Sequence, residues 1–158
     1  MTERSDTEEK ISAEDIMTLR SGISAFESKQ FVRAHQLLSP LAEVGNPDAQ
    51  YRLAIMDQNG LGQVVNQKKA YHWMRSAAEQ GFDLAQHGLG FMYLQGECVE
   101  QDDAQAAHWF TLAAEQDLAG AQAILGDLYK EGRGVKKDLE QAKHWYTKAG
   151  FEMEELVS

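Results

Sequence analysis

The 158-residue chain holds one cysteine, Cys98, and two prolines, Pro40 and Pro47. A single thiol excludes an internal disulfide framework, so cysteine usage gives secretion no support. With both prolines before residue 50, the rest of the chain is free to run as helices. Basic residues are also scarce: 15 Lys and Arg face 25 Asp and Glu, which leaves a formal net charge of −10. A surface of that sign repels phosphates, so nucleic acid and anionic membrane are poor partners. A basic or neutral protein surface is the natural counterpart. No apolar run approaches the roughly 18 residues of a membrane span. Met1 to Lys10 mixes charges of both signs and has no apolar core, so it does not read as a signal peptide. A disordered tail over residues 1–11 and a cytoplasmic location are the expectations. HExxH, GxSxG and GxxxxGK[ST] are all missing, so no catalytic site and no cofactor are expected.

What the chain does have is a block repeated every 36 residues. His-Trp recurs as His72-Trp73, His108-Trp109 and His144-Trp145. Ala49/Ala85/Ala121, Gln50/Gln86/Gln122, Leu53/Leu89/Leu125, Gly60/Gly96/Gly132 and Ala70/Ala106/Ala142 keep the same step. Self-similarity at a period of roughly 20–50 residues marks a solenoid of stacked units. At 43% hydrophobic residues, the chain can bury one core.

Each block reads as two helices. Ser12-Ala13-Glu14-Asp15 forms a capping box that starts a first helix running to Phe26, and a second helix spans Phe31 to about Val44. Gly45-Asn46-Pro47 stops that helix and caps the next. In the middle block, helix A runs from Asp83 to Leu94. Asp102 caps helix B, which reaches about Glu115. Asn66 and Asp138 are the equivalent caps, and Gln105 and Gln141 hold the second capping-box place. Gly90 and Gly126 lie inside helices, where glycine costs about 1 kcal/mol against alanine. Their recurrence implies close approach of the two helix backbones.

Gly81 to Gly96 followed by Ala106-Ala-His-Trp109-Phe110-Thr-Leu-Ala113-Ala114 resembles a Sel1-like repeat, a relative of the tetratricopeptide repeat. Leu125-Gly126-Asp-Leu-Tyr129, Gly132-Arg-Gly134-Val135 and Ala142-Lys-His-Trp145-Tyr146 match the pattern more fully. The first block is looser, with Ala54 in place of the glycine and Asp57 in place of the tyrosine. Gly22, Phe31, Ala34 and Leu38 have the spacing of a tetratricopeptide hairpin and resemble a capping repeat. The fold expected is an all-α solenoid, a right-handed superhelix of antiparallel helix pairs. Its hairpin covers 12–44, its repeats about 45–80, 81–116 and 117–150, and a cap 151–158.

His72, His108 and His144 stand on neighbouring layers about 8–10 Å apart, too far to share one metal at about 2.0–2.1 Å, so no metal is expected. Trp73, Trp109 and Trp145 read as packing between layers. Asp102-Asp103 sits at a helix start and reads as a cap, and Cys98 has no adjacent base to activate it.

The resemblance implies that helix A of each pair lines the concave face. Counted at helical spacing, that face carries Leu19, Ile23 and Phe26, then Asp48, Tyr51, Ile55 and Asn59, then Leu84, His87, Phe91 and Leu94. Its C-terminal end is charged: Ala123, Asp127, Lys130 and Glu131. Exposed apolar area in a concavity marks binding. Ile23, Tyr51, Ile55, His87, Phe91 and Leu94, with Asp127 and Lys130 at the polar end, are therefore the candidate partner-binding residues. The function implied is a monomeric, non-catalytic adaptor for a peptide or helix of another protein. The rivals are a self-associating structural subunit and a β-lactam-binding or -hydrolysing relative. Relatives of that last kind carry paired cysteines, which this chain lacks.

Overall fold

The computed structural model describes residues 11–152. Eight helices make up the described chain: α1 (Ala13–Glu27), α2 (Phe31–Glu43), α3 (Pro47–Asn59), α4 (Gln67–Glu79), α5 (Asp83–Gln95), α6 (Asp103–Glu115), α7 (Ala119–Glu131) and α8 (Leu139–Lys148). Consecutive helices pair into four antiparallel hairpins, and each hairpin packs on the next in sequence. This is the stacked helical solenoid that the 36-residue period implies.

The caps fall where the polar residues place them. Side chains of Ser12, Asn46, Asn66, Asp102 and Asp138 accept amides of the first turns at 3.0–3.2 Å. The return half of the capping box is not made at Gln105 and Gln141. Instead the Asp102 and Asp138 amides donate to the Tyr93 and Tyr129 carbonyls, at 2.9 and 3.0 Å, which ties each helix B start to its own helix A. Gly60, Gly96 and Gly132 end the A helices in the left-handed region, at φ of 66–68°.

Gly90 and Gly126 make room for a ring, not for a backbone. A Cβ on Gly90 would stand 2.9 Å from the Phe110 ring, and one on Gly126 2.8 Å from the Tyr146 ring. At Gly22 the neighbour is Leu38. In the first repeat Ala54 replaces the glycine, and Met74 holds the place of the aromatic. A small residue on helix A is thus matched to a large one on helix B.

Phe110 is fully buried, whereas Trp109 beside it is only half-buried. The tryptophans bridge layers as expected: Trp73 packs on both the Leu38–Leu53 and the Met74–Leu89 clusters, and Trp145 belongs to the Phe110–Leu125 cluster. His72, His108 and His144 are exposed and lie 5.0–5.2 Å from the adjacent tryptophan rings.

The recurring glutamines have a role that their spacing alone does not state. Gln50, Gln86 and Gln122 are buried, and each donates its amide to a carbonyl at the end of the preceding helix B: Ala42, Ala78 and Ala114, at 3.0–3.3 Å. Gln80 and Gln116 then donate to the Oε1 atoms of Gln50 and Gln86, at 3.0 and 2.8 Å. Buried polar groups are stable only when paired, so this ladder fixes the angle between successive hairpins. Phe151 packs edge-on against Tyr146 at 6.0 Å, while most of the expected C-terminal cap and most of the expected N-terminal tail lie outside the described residues.

Candidate partner-binding face

The A helices α1, α3, α5 and α7 share one side of the stack, and α1 touches α3 directly. Ile23, Tyr51, Ile55, His87, Phe91 and Leu94 are all half-buried on these helices. Helical spacing put them one above another. The layer behind each decides how far it sinks.

Tyr51 and Ile55 lean on the Met74–Leu89 cluster, and Phe91 and Leu94 on the Phe110–Leu125 cluster. Phe82, from the turn before α5, packs against the Tyr51 ring at 5.4 Å. Arg52 lies over the Phe26 ring at 5.3 Å while paired with Asp48 at 3.0 Å. Neither Phe82 nor Arg52 was marked by spacing along a single helix, because each contact joins residues of different segments.

His87 sits 4.9 Å from the Phe91 ring and 5.6 Å from the Phe110 ring, and Phe91 meets Phe110 at 5.1 Å and 90°. The His87 Nε2 is buried without a hydrogen-bond partner, close to Gly120 of the next hairpin. Burial lowers the His87 pKa, with Asp83 opposing that shift, so its ring is neutral at physiological pH. Burial likewise raises the Tyr51 hydroxyl pKa, and Arg52 opposes it. Apart from the Arg52–Asp48 pair, the candidate residues of the first three A helices form an uncharged aromatic and aliphatic wall.

The wall changes character on α7. Asp127 and Lys130 are exposed, and Asp127 accepts a hydrogen bond from the Tyr146 hydroxyl. Lys130 is the more available of the two charges.

Among the described residues no group of three or more His, Cys, Asp or Glu is placed to hold a metal. Ser39 Oγ lies 3.2 Å from His35 Nδ1 one turn away on α2, but the nearby Asp57 carboxylate is bonded to Gln63. Cys98 is half-buried, and burial raises its thiol pKa, which disfavours the reactive thiolate. No helix among the described residues is long and apolar enough to cross a membrane.

Comparison with known proteins places these features in context. A family model described as Sel1 repeat matches residues 47–82, 83–118 and 119–150. The crystal structure of a Sel1 repeat protein from Oxalobacter formigenes is 34% identical with a TM-score of 0.80, covering 84% of this chain and 53% of that one. A protective antigen present in uropathogenic Escherichia coli strains, displaying an SLR fold, is 34% identical with a TM-score of 0.81, covering 96% and 32% respectively. The chain thus spans about half the length of the first of these and about a third of the second. Helicobacter pylori cysteine rich protein B shares the fold, at 24% identity and a TM-score of 0.60 over 78% of this chain and 92% of that one. No curated protein matches the chain.

Proposed function

The chain belongs to the Sel1 repeat family, and from that premise we propose that it is a non-catalytic scaffold holding a peptide or helix of another protein against α1, α3 and α5. Sel1 repeat proteins generally serve as protein-interaction scaffolds. The observation that carries the finer reading is the run of half-buried, uncharged residues Ile23, Tyr51, Ile55, His87, Phe91 and Leu94, most of whose identities change from one repeat to the next. A position that stacking alone governs tends to recur, as Leu53, Leu89 and Leu125 do. Here Tyr51 gives way to His87, and Ile23 and Ile55 to Phe91, as in a surface shaped for one ligand.

The partner segment is apolar where it meets Tyr51 and Phe91. It carries basic or neutral flanks, because the chain's net charge is −10. Asp127 and Lys130 form the polar end of the face. We place the protein in the cytoplasm as a monomer awaiting that partner. A β-lactam-directed activity has little to support it, since one cysteine cannot staple a hairpin.

The test is a pull-down from the source cell with wild type, Tyr51→Glu and Phe91→Glu side by side. A charge in a desolvated interface centre costs several kcal/mol of binding, so both variants are expected to lose the partner while keeping wild-type helicity. Retention of the partner by folded variants would refute the face. Loss of helicity would show that the two rings serve the core. Light scattering over a concentration series separates this reading from a self-associating subunit.

A further inference from the structure

Beyond the proposed partner face, the outer side of the N-terminal hairpin departs from every inner layer. Gly22 lies under Leu38 as Gly90 lies under Phe110, which sets the register of α1 against the later A helices. In that register Ser21 stands where Leu53 and Leu89 are buried, and Ser24 where Met56 and Met92 are buried. An end face needs to be polar, but any hydrophilic residues would meet that need.

This one is more selective. A cavity of about 330 Å³ opens there, lined by Arg20, Ser21, Ser24 and Ser28 of α1 and its C-cap, and by Gln30 and Arg33 at the start of α2. No acidic residue lines it. Neither arginine has an ion-pair partner among the described residues, in a chain where 25 acids outnumber 15 bases.

We propose that this cavity binds a phosphate monoester. Two guanidinium forks balance a dianion and match the spacing of phosphate oxygens. The serine hydroxyls and the Gln30 amide supply further donors, more than the two oxygens of a carboxylate can accept. The volume exceeds that of a bare oxyanion and leaves room for the esterified group. The net charge of −10 holds off extended polyanions, so the ligand is a single phosphate on a small or neutral carrier.

The full-length protein is titrated with inorganic phosphate, O-phosphoserine or acetate at ionic strength held constant with sodium chloride. Melting temperature and backbone amide shifts are the readouts. Phosphate and phosphoserine are expected to raise the melting temperature saturably, and to move the amides of Ser21, Ser24, Ser28 and Arg33. Arg20→Gln and Arg33→Gln, at exposed positions, should melt like wild type without phosphate and lose affinity about tenfold or more. Arg75→Gln, on α4 and paired with Glu79, should leave binding unchanged. A rise that fails to saturate, or that persists in the Arg20/Arg33 double variant, is a general salt effect and overturns the site. Acetate binding as well as phosphate, or shifts confined to other residues, would overturn it too.

Discussion

Asp57 stands where the next two repeats carry Tyr93 and Tyr129, and His35 stands where α4 carries Tyr71. The Tyr71 and Tyr93 hydroxyls meet at 2.8 Å and join two hairpins. One layer earlier that contact is replaced by a carboxylate only 5% exposed, bonded to the Gln63 amide. Burial raises the Asp57 pKa, and Lys69 and His35 only partly oppose it. The folded state therefore binds the proton more tightly than the unfolded state does. Between the ordinary aspartate value and the raised one, stability falls as pH rises, and above that window the penalty is complete. Asp57→Asn removes the charge and keeps an acceptor for Gln63. It is expected to melt higher than wild type at about pH 7, with the gain shrinking as the pH falls through the raised Asp57 value towards the ordinary aspartate range. Circular dichroism melts across that range measure the difference, which also cancels the separate acid loss from His87, whose pKa burial lowers. A gain that stayed constant with pH, or a variant that melted lower, would show that Lys69 already compensates the charge.

Two helices of one hairpin approach as closely as their smallest facing residue allows, and here the pairs are Gly90 with Phe110 and Gly126 with Tyr146. Gly90→Ala gains about 1 kcal/mol of helix propensity. It also drives a Cβ to 2.9 Å from a ring that is fully buried and cannot withdraw. Overpacking of that kind costs typically 1–3 kcal/mol, so a net loss of up to about 2 kcal/mol is expected in urea denaturation. Phe110→Leu costs stability on its own but should relieve the clash, so the double variant lies above the sum of the singles. Simple additivity would mean that the ring does not sense the Cβ. The helices themselves were legible in the sequence to within a residue or two, because caps such as Asn46 and Asp102 act locally. The fit of Gly90 to Phe110 was not, because it joins residues 20 apart on different helices. The Gln86 clamp on Ala78 also escaped, since a recurring glutamine shows its register but not its acceptor. On the proposed partner face, spacing chose Tyr51, His87 and Phe91. Their half-burial was set by Phe82, Gly120 and Phe110, which lie in other segments.

Contacts in the whole molecule run almost entirely between helices adjacent in sequence, so the solenoid behaves as a row of units with nearest-neighbour interfaces. From α2 onwards the interfaces between hairpins use the same 36-residue step. Deleting residues 81–116 therefore joins Gln80 to Asp117 in register. Gln122 then finds the Ala78 carbonyl where it formerly met Ala114, and Gln80 keeps Gln50. The three-hairpin protein is expected to unfold cooperatively, with lower stability and a urea m-value smaller by about a quarter, since m follows the surface exposed on unfolding. Deletion also removes His87, Phe91 and Leu94 and leaves Arg20 and Arg33 untouched. If repeating positions build the fold and non-repeating ones the function, the shortened protein should keep its helical spectrum per residue and lose the partner captured by wild type, while its response to phosphate is unchanged. A shortened chain that is non-cooperative or aggregated would show coupling beyond neighbouring hairpins. One that folds and still captures the partner would move the binding face off α5.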